Sequence, residues 1–233
     1  MILRFNWPSK VATTPCLAAG HPMTRKKRLR FNALRGMDNV IDGRLCEPDW
    51  FQLLFGCGEL VTLELGCGRG EYTLALARCR RNVGVLGVDR NGARLWKGAE
   101  QALDEGLANA FFLRALVEHL EKHIPPGRVG EIWLPFPDPL PKNRQAKHRL
   151  LSVLFLERYR RLLCPGGVLH LKTDDLDLMH FADQTVHETG GRALEGPAHL
   201  TGKDREVMAV RTTYEKKYRG EGRIIYDRSF RLD

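Results

Sequence analysis

No stretch of this 233-residue chain approaches the ~18 uninterrupted apolar residues of a membrane span, so no transmembrane helix is expected. The six cysteines, at positions 16, 46, 57, 67, 79 and 164, form no CxxC pair and no spacing suited to zinc. A metal site is therefore not expected, and scattered single cysteines predict a reduced, cytoplasmic protein. No internal repeat and no low-complexity tract interrupts the chain. Acidic residues are missing from positions 1–36, where Arg4, Lys10, Arg25, Lys26, Lys27, Arg28, Arg30 and Arg35 stand unopposed. Of the 37 basic residues these eight leave 29 against 28 acids, so the net charge of +9 is a local feature. An acid-free basic arm lies along phosphates or stays solvated, and a nucleic-acid partner is the better supported of the two. The arm also has the Arg-rich character of a transit peptide, but Pro8, Pro15 and Pro22 break any amphipathic helix and no secretory apolar core is present. Met23 offers an alternative start, which would leave residues 1–22 outside the native protein.

What is present supports a real core, with 43% hydrophobic and 28% charged residues. The length favours one domain with an extension, an arm over residues 1–45 and a domain over 46–233. From residue 60 onward, short apolar β-rich runs alternate with helical ones. Strands are expected at LVTLELG (60–66), VGVLGVD (83–89), NAFFLRA (109–115), GEIWLPF (130–136) and GVLHLKT (167–173). Helices are expected between them, the longest over residues 146–163, with a short one near 117–122. GRALEG (191–196) and RIIYDRSF (223–230) supply two closing strands around a polar loop at 195–208. This alternation predicts an α/β fold: a doubly wound, mostly parallel, seven-stranded sheet of Rossmann-like type, with a basic N-terminal arm.

LELGCGRGEYTLALA puts Glu64 near a strand end and Gly66, Gly68 and Gly70 ahead of a helix. Glycines there permit a tight turn and let a ligand lie against the backbone. The dinucleotide fingerprint would need glycine at position 71, where this chain has Glu71. An acid at a helix N-terminus opposes a pyrophosphate, so the cofactor should lack phosphate there. S-adenosylmethionine fits, and E-x-G-x-G-x-G after the first strand resembles the class I methyltransferases. That resemblance sets Glu64 near the amino-acid end of the cofactor. Asp89 ends the second strand about twenty residues on, where a carboxylate accepts ribose hydroxyls.

In LPFPDPLPKNRQAKHRL (134–150), proline recurs at every second position from Pro135 to Pro141, around Asp138. Each proline fixes φ and lacks a donor, so the run forms a stiff turn at the carboxyl end of the sheet, where such folds bind ligands. Asp138 is either a turn cap, as Asp-Pro often is, or an acid held on target. Lys142, Arg144, Lys147 and Arg149 follow at once, as a solvated helix start or as a grip on phosphates. Cations at a helix N-terminus oppose its dipole, which favours an external anion.

FPDPLPKNRQAKHRL (136–150) resembles the FPDPW-x-K-x-R-x-x-K-R-R-L signature of the tRNA (guanine-N7)-methyltransferases. TTYEKKYRGEGRI (212–224) is similar to that family's T-x-Y-E-x-K-F…G-x-x-I segment, and LKTDD (171–175) is a third match. With the glycine loop, the resemblance covers residues 58–226. It implies methyl transfer from S-adenosylmethionine to N7 of a guanine in the variable loop of tRNA. Asp138 matches the family's catalytic acid, and Lys142, Asp174, Thr212 and Glu215 match its substrate contacts. Glu64, Gly66, Gly68, Asp89, Ala115 and Asp138 border the cofactor by the same resemblance. Leu140 departs from the family's tryptophan, and Ala115 from a polar residue that approaches adenine; His148 for Arg and Tyr218 for Phe are milder changes. TTYEKKYRG also has the i, i+4 tyrosine spacing of a short amphipathic helix with Tyr214 and Tyr218 packed inward. A monomer or homodimer is expected. The other readings are a class I methyltransferase acting on a small molecule or protein, and a non-catalytic RNA-binding module on the same scaffold.

Overall fold

Apolar, β-branched runs become buried strands in the computed structural model, which describes residues 29, 33–34, 36–194, 206–207 and 209–232. All eight basic residues of positions 1–36 lie outside the described residues, as does the loop expected at 195–208 except at 206 and 207. Two units divide the chain, Met1–Ile124 and Pro125–Asp233.

In the first unit, β1 (Val40–Asp42), β2 (Val61–Leu65), β3 (Gly84–Val88) and β4 (Ala110–Arg114) pair in parallel in the order β1-β4-β3-β2. Every residue of β2 and β3 is buried, as expected of a parallel sheet covered on both faces. The helices are α1 (Trp50–Phe55), α2 (Glu71–Cys79) and α3 (Gly92–Asp104), with a 3₁₀ turn at Val117–Lys122. Trp50, Phe51 and Phe55 of α1 form an aromatic cluster, and the Phe55 ring meets Phe111 of β4 edge-on at 5.3 Å. Gly84 makes room for it: a Cβ there would lie 2.6 Å from the Phe55 ring.

In the second unit, β5 (Val129–Pro135), β6 (Leu163–Thr173), β7 (Arg192–Ala193) and β8 (Tyr226–Arg231) lie in the order β5-β6-β8-β7. β5 and β6 are parallel; β8 runs antiparallel to both β6 and β7. Helices α4 (Val153–Leu162), α5 (Leu176–Glu188) and α6 (Thr213–Gly220) accompany them, with a 3₁₀ turn at Asn143–His148. His170 is a satisfied core histidine. It stacks on Trp133 at 4.1 Å, and its Nδ1 lies 2.8 Å from the Ser229 hydroxyl.

The mixed, mostly parallel α/β class is therefore correct, but the described residues hold eight strands where seven were expected. The added strand is β1, three residues long and placed before residue 46. The helix expected from residue 146 begins only at Val153. Arg149 and Ser152 are both extended, with ψ of 138° and 156°, and they separate the 3₁₀ turn from α4.

Candidate active site

The parallel strands of the first unit bring their carboxyl ends to one edge, and the residues of the glycine motif collect there. Gly66, Gly68 and Gly70 all have left-handed backbones, with φ of 72°, 55° and 71°, which a side chain would strain. The turn is tied to β3 by the Gly66 and Cys67 N–H groups, which donate to the Val88 carbonyl at 2.8 and 3.0 Å. Asp89, just past β3, accepts from the Gly68 N–H at 2.9 Å and from the Asn91 N–H at 2.7 Å. Gly70 packs inward, since a Cβ there would lie 2.6 Å from the Phe112 ring. Gly66 and Gly68 instead face open space: a Cβ at Gly66 would meet nothing within 4 Å. Those two glycines and the half-buried Asp89 form a cradle of the kind a nucleoside-bearing cofactor fills. S-adenosylmethionine fits this donor set, with Asp89 as acceptor for ribose hydroxyls and no cation demanded for phosphate.

Glu64 sits one residue inside the end of β2 and is buried. Its Oε2 accepts from the Thr73 N–H at 2.6 Å and from the Thr73 hydroxyl. Burial outweighs those bonds and pushes its carboxyl up to about 8. Cys67 is buried too, and burial raises its thiol well above the ordinary range, so it packs and does not react. Ala115 follows β4 half-buried and offers no side-chain hydrogen bond.

In the second unit, the Phe136 N–H donates to the Lys172 carbonyl at 2.7 Å, and the proline run then leaves the sheet. Phe136 and Leu140 adopt left-handed backbones, φ 52° and 45°, on either side of Pro137-Asp138-Pro139. Non-glycine residues in that region cost roughly 1–3 kcal/mol each and persist only where surroundings enforce them. Asp138 is exposed, and its carboxylate has no hydrogen-bond or ion-pair partner among the described residues. It caps no turn. Lys142, Arg144, Lys147 and His148 are likewise exposed and unpaired among the described residues. Arg149 differs from that cluster. Its Nε and Nη2 donate to the Leu140 carbonyl at 3.3 and 3.2 Å, and its guanidinium lies 4.4 Å above the Phe181 ring of α5. The expected role of Arg149 as a phosphate grip is corrected by this geometry.

Asp174 follows β6 and accepts from Arg223 at 2.7 Å. Because β5 and β6 are parallel, with Pro135 opposite Lys172, Asp138 and Asp174 stand at the same end of their sheet. Thr212 and Glu215 are brought to that end as well, but turned inward. Thr212 caps α6, its hydroxyl accepting from the Glu215 N–H at 3.1 Å. Glu215 is buried, with the Lys172 ammonium 2.7 Å from Oε2 and Arg219 donating to Oε1 at 2.8 Å. The Lys172 approach is an ion pair off the line of a hydrogen bond. Burial lowers the Lys172 ammonium, while Glu215 opposes that drop. Tyr214 is exposed, and the half-buried Tyr218 ring lies 6.0 Å from that of Phe136.

Three partners escaped the sequence reading, Thr73, Lys172 and Arg223, while Arg149 was read there with another role. Only Lys172 left a signal, as a lone lysine within the apolar run of β6. Among the described residues, no group of three or more His, Cys, Asp or Glu side chains is placed to hold a metal ion.

Fold and glycine cradle together define a class I S-adenosylmethionine-dependent methyltransferase. The crystal structure of the 16S rRNA methyltransferase KamB superposes with a TM-score of 0.57 at 19% identity, covering 82% of this chain and 97% of that one. Residues 58–228 match the family model described as "Putative methyltransferase". The tRNA (guanine-N(7)-)-methyltransferase of Christiangramia forsetii is 37% identical over 191 residues, 81% of this chain and 84% of the relative. That of Cytophaga hutchinsonii is 35% identical over 210 residues, 86% of this chain and 94% of the relative. The chain belongs to the tRNA (guanine-N7)-methyltransferase family.

Proposed function

We propose that this protein methylates N7 of a guanine in tRNA, in the variable loop and in the cytoplasm, with S-adenosylmethionine as donor. One observation carries the substrate half of this reading: an exposed, unpartnered Asp138 on a strained proline loop, followed directly by four unpartnered basic side chains. A small-molecule methyltransferase has no use for that sequence of groups. The catalytic domain begins before residue 46, since β1 (Val40–Asp42) pairs with β4, and the basic segment ahead of it is the arm that lies along the RNA.

Gly66 and Gly68 give the donor a backbone to lie on, Asp89 accepts its ribose hydroxyls, and Glu64 borders its amino-acid end. Ala115 leaves adenine to packing or backbone contacts; losing one neutral hydrogen bond costs about 0.5–1.5 kcal/mol. When bound, S-adenosylmethionine supplies an electrophilic methyl group. Guanine N7 has an in-plane lone pair and no proton, so no general base is required. What the protein must do is align the purine and oppose the positive charge that grows on it. Asp138 suits both tasks, accepting guanine N–H donors while its charge faces the ring. Asp174 stands at the same end of the sheet for the same purpose, with Arg223 on its Oδ2. Thr212 and Glu215 belong to the substrate side, but Glu215 accepts from guanine only if the half-exposed Arg219 swings away. Lys142, Arg144 and Lys147 hold the flanking phosphates, which positions the RNA without reading its sequence.

The test is incubation with methyl-labelled S-adenosylmethionine and unmodified tRNA, followed by mapping of N7-methylguanosine. Label at a variable-loop guanine is expected. Transfer only to a protein or small molecule, or RNA binding without transfer, would replace this reading with one of the alternatives.

A further inference from the structure

The geometry points to Arg149 as a positioning residue for Asp138, an inference that rests on the role proposed for that acid. Among the segment's cations, Lys142, Arg144 and Lys147 point their charge into solvent, whereas Arg149 turns back into the fold. Both its Nε and its Nη2 reach one acceptor, the carbonyl of Leu140. Leu140 is one of the two left-handed non-glycine residues of the loop, two positions beyond Asp138. Such a backbone relaxes unless something holds it. Arg149 is what holds it, and Phe181 of α5 holds Arg149 with its ring 4.4 Å from the guanidinium carbon. The chain from helix to ring to guanidinium to carbonyl fixes where the Asp138 carboxylate stands.

Arg149→Lys keeps the charge but loses the planar fork and the stacking surface. The single-turnover methylation rate at saturating donor and tRNA should then fall about ten- to a hundredfold. Affinity for tRNA and the slope of log K against log salt should stay at wild-type values. Amide exchange across residues 136–142 should quicken in the free protein, while β5 and β6 exchange as before. Phe181→Leu, which leaves the net charge unchanged, should give the same pattern more weakly. A phosphate contact would behave in the opposite way, with weaker binding, a slope reduced by about one and an unchanged saturated rate, and that result would overturn the inference. Wild-type rate and exchange in Arg149→Lys, or loosening throughout the unit in both variants, would overturn it too. If wild-type protein methylates no tRNA, the functional reading fails separately, and the exchange experiment still decides whether Arg149 braces the loop.

Discussion

Burial separates two carboxylates that stand near strand ends in the sequence. Asp138 is exposed and has no partner among the described residues, so its charge is available to a ligand. Asp138→Asn retains the shape and removes that charge. Single-turnover methyl transfer at saturating donor is expected to drop ~10²–10³-fold, the usual cost of one preorganised polar group. A loss below about tenfold would remove Asp138 from the chemistry. Glu64 is the reverse case, sealed under α2 and bound to Thr73. Its carboxyl titrates near the ordinary 4.5 when unfolded and about 8 when folded. Between those values the folded protein holds a proton that the unfolded chain has released. The stabilising contribution is therefore complete below pH 4.5, drains as pH rises, and is gone above about 8. Glu64→Gln should flatten the fall in melting temperature across that window, and equal slopes in both proteins would show that Glu64 is ionised in the fold.

At the scale of elements, strands β2 to β6 were legible because each is a continuous apolar run, and the glycine turn because its spacing admits few other shapes. β1 was not, since three residues carry no periodicity, and only pairing with β4 makes Val40–Asp42 a strand. The start of α4 was misplaced for a related reason. Leu150, Leu151 and Leu154 continue the helical spacing, but the backbone at Arg149 is extended while its side chain holds Leu140. Helix α6 was expected as a short amphipathic segment, yet its tie to the sheet was hidden. Glu215 reaches Lys172 across 43 positions of sequence, and no local pattern announces such a pair. That pair makes α6 depend on one buried acid. Glu215→Ala would leave the Lys172 ammonium buried without its partner, a loss of about 3–5 kcal/mol. At the ~2–4 °C per kcal/mol usual for a chain of this size, the melting temperature should fall by roughly 6–20 °C. Replacing both residues, Lys172→Met with Glu215→Leu, should recover most of it. A contact to substrate alone would instead raise KM and leave the melting temperature in place.

For the molecule as a whole, fold and substrate were legible from different parts of the sequence. The α/β alternation and glycine turn define a methyltransferase, a scaffold shared with KamB at only 19% identity. The RNA substrate was read from charge and from the proline segment, neither of which the scaffold requires. Charge is also the property that acts over the longest range. Residues 1–36 carry eight basic residues and no acid, while the rest of the chain is nearly balanced. Cations that neutralise phosphates release counterions, so tRNA affinity should fall steeply with salt. A truncation that removes residues 1–28 tests the arm cleanly. It deletes Arg4, Lys10 and Arg25 through Arg28, but keeps Leu34, which is buried in the first unit. If these six cations contact RNA, the slope of log K against log salt should shrink by up to about 5, at ~0.9 per phosphate on duplex and ~0.7 on single strands. Affinity at low salt should weaken in the same protein, while its melting temperature holds. An unchanged slope with unchanged affinity would remove these six cations from the RNA contact, and replacing Lys142, Arg144 and Lys147 by alanine would then be expected to take a larger share of the salt dependence.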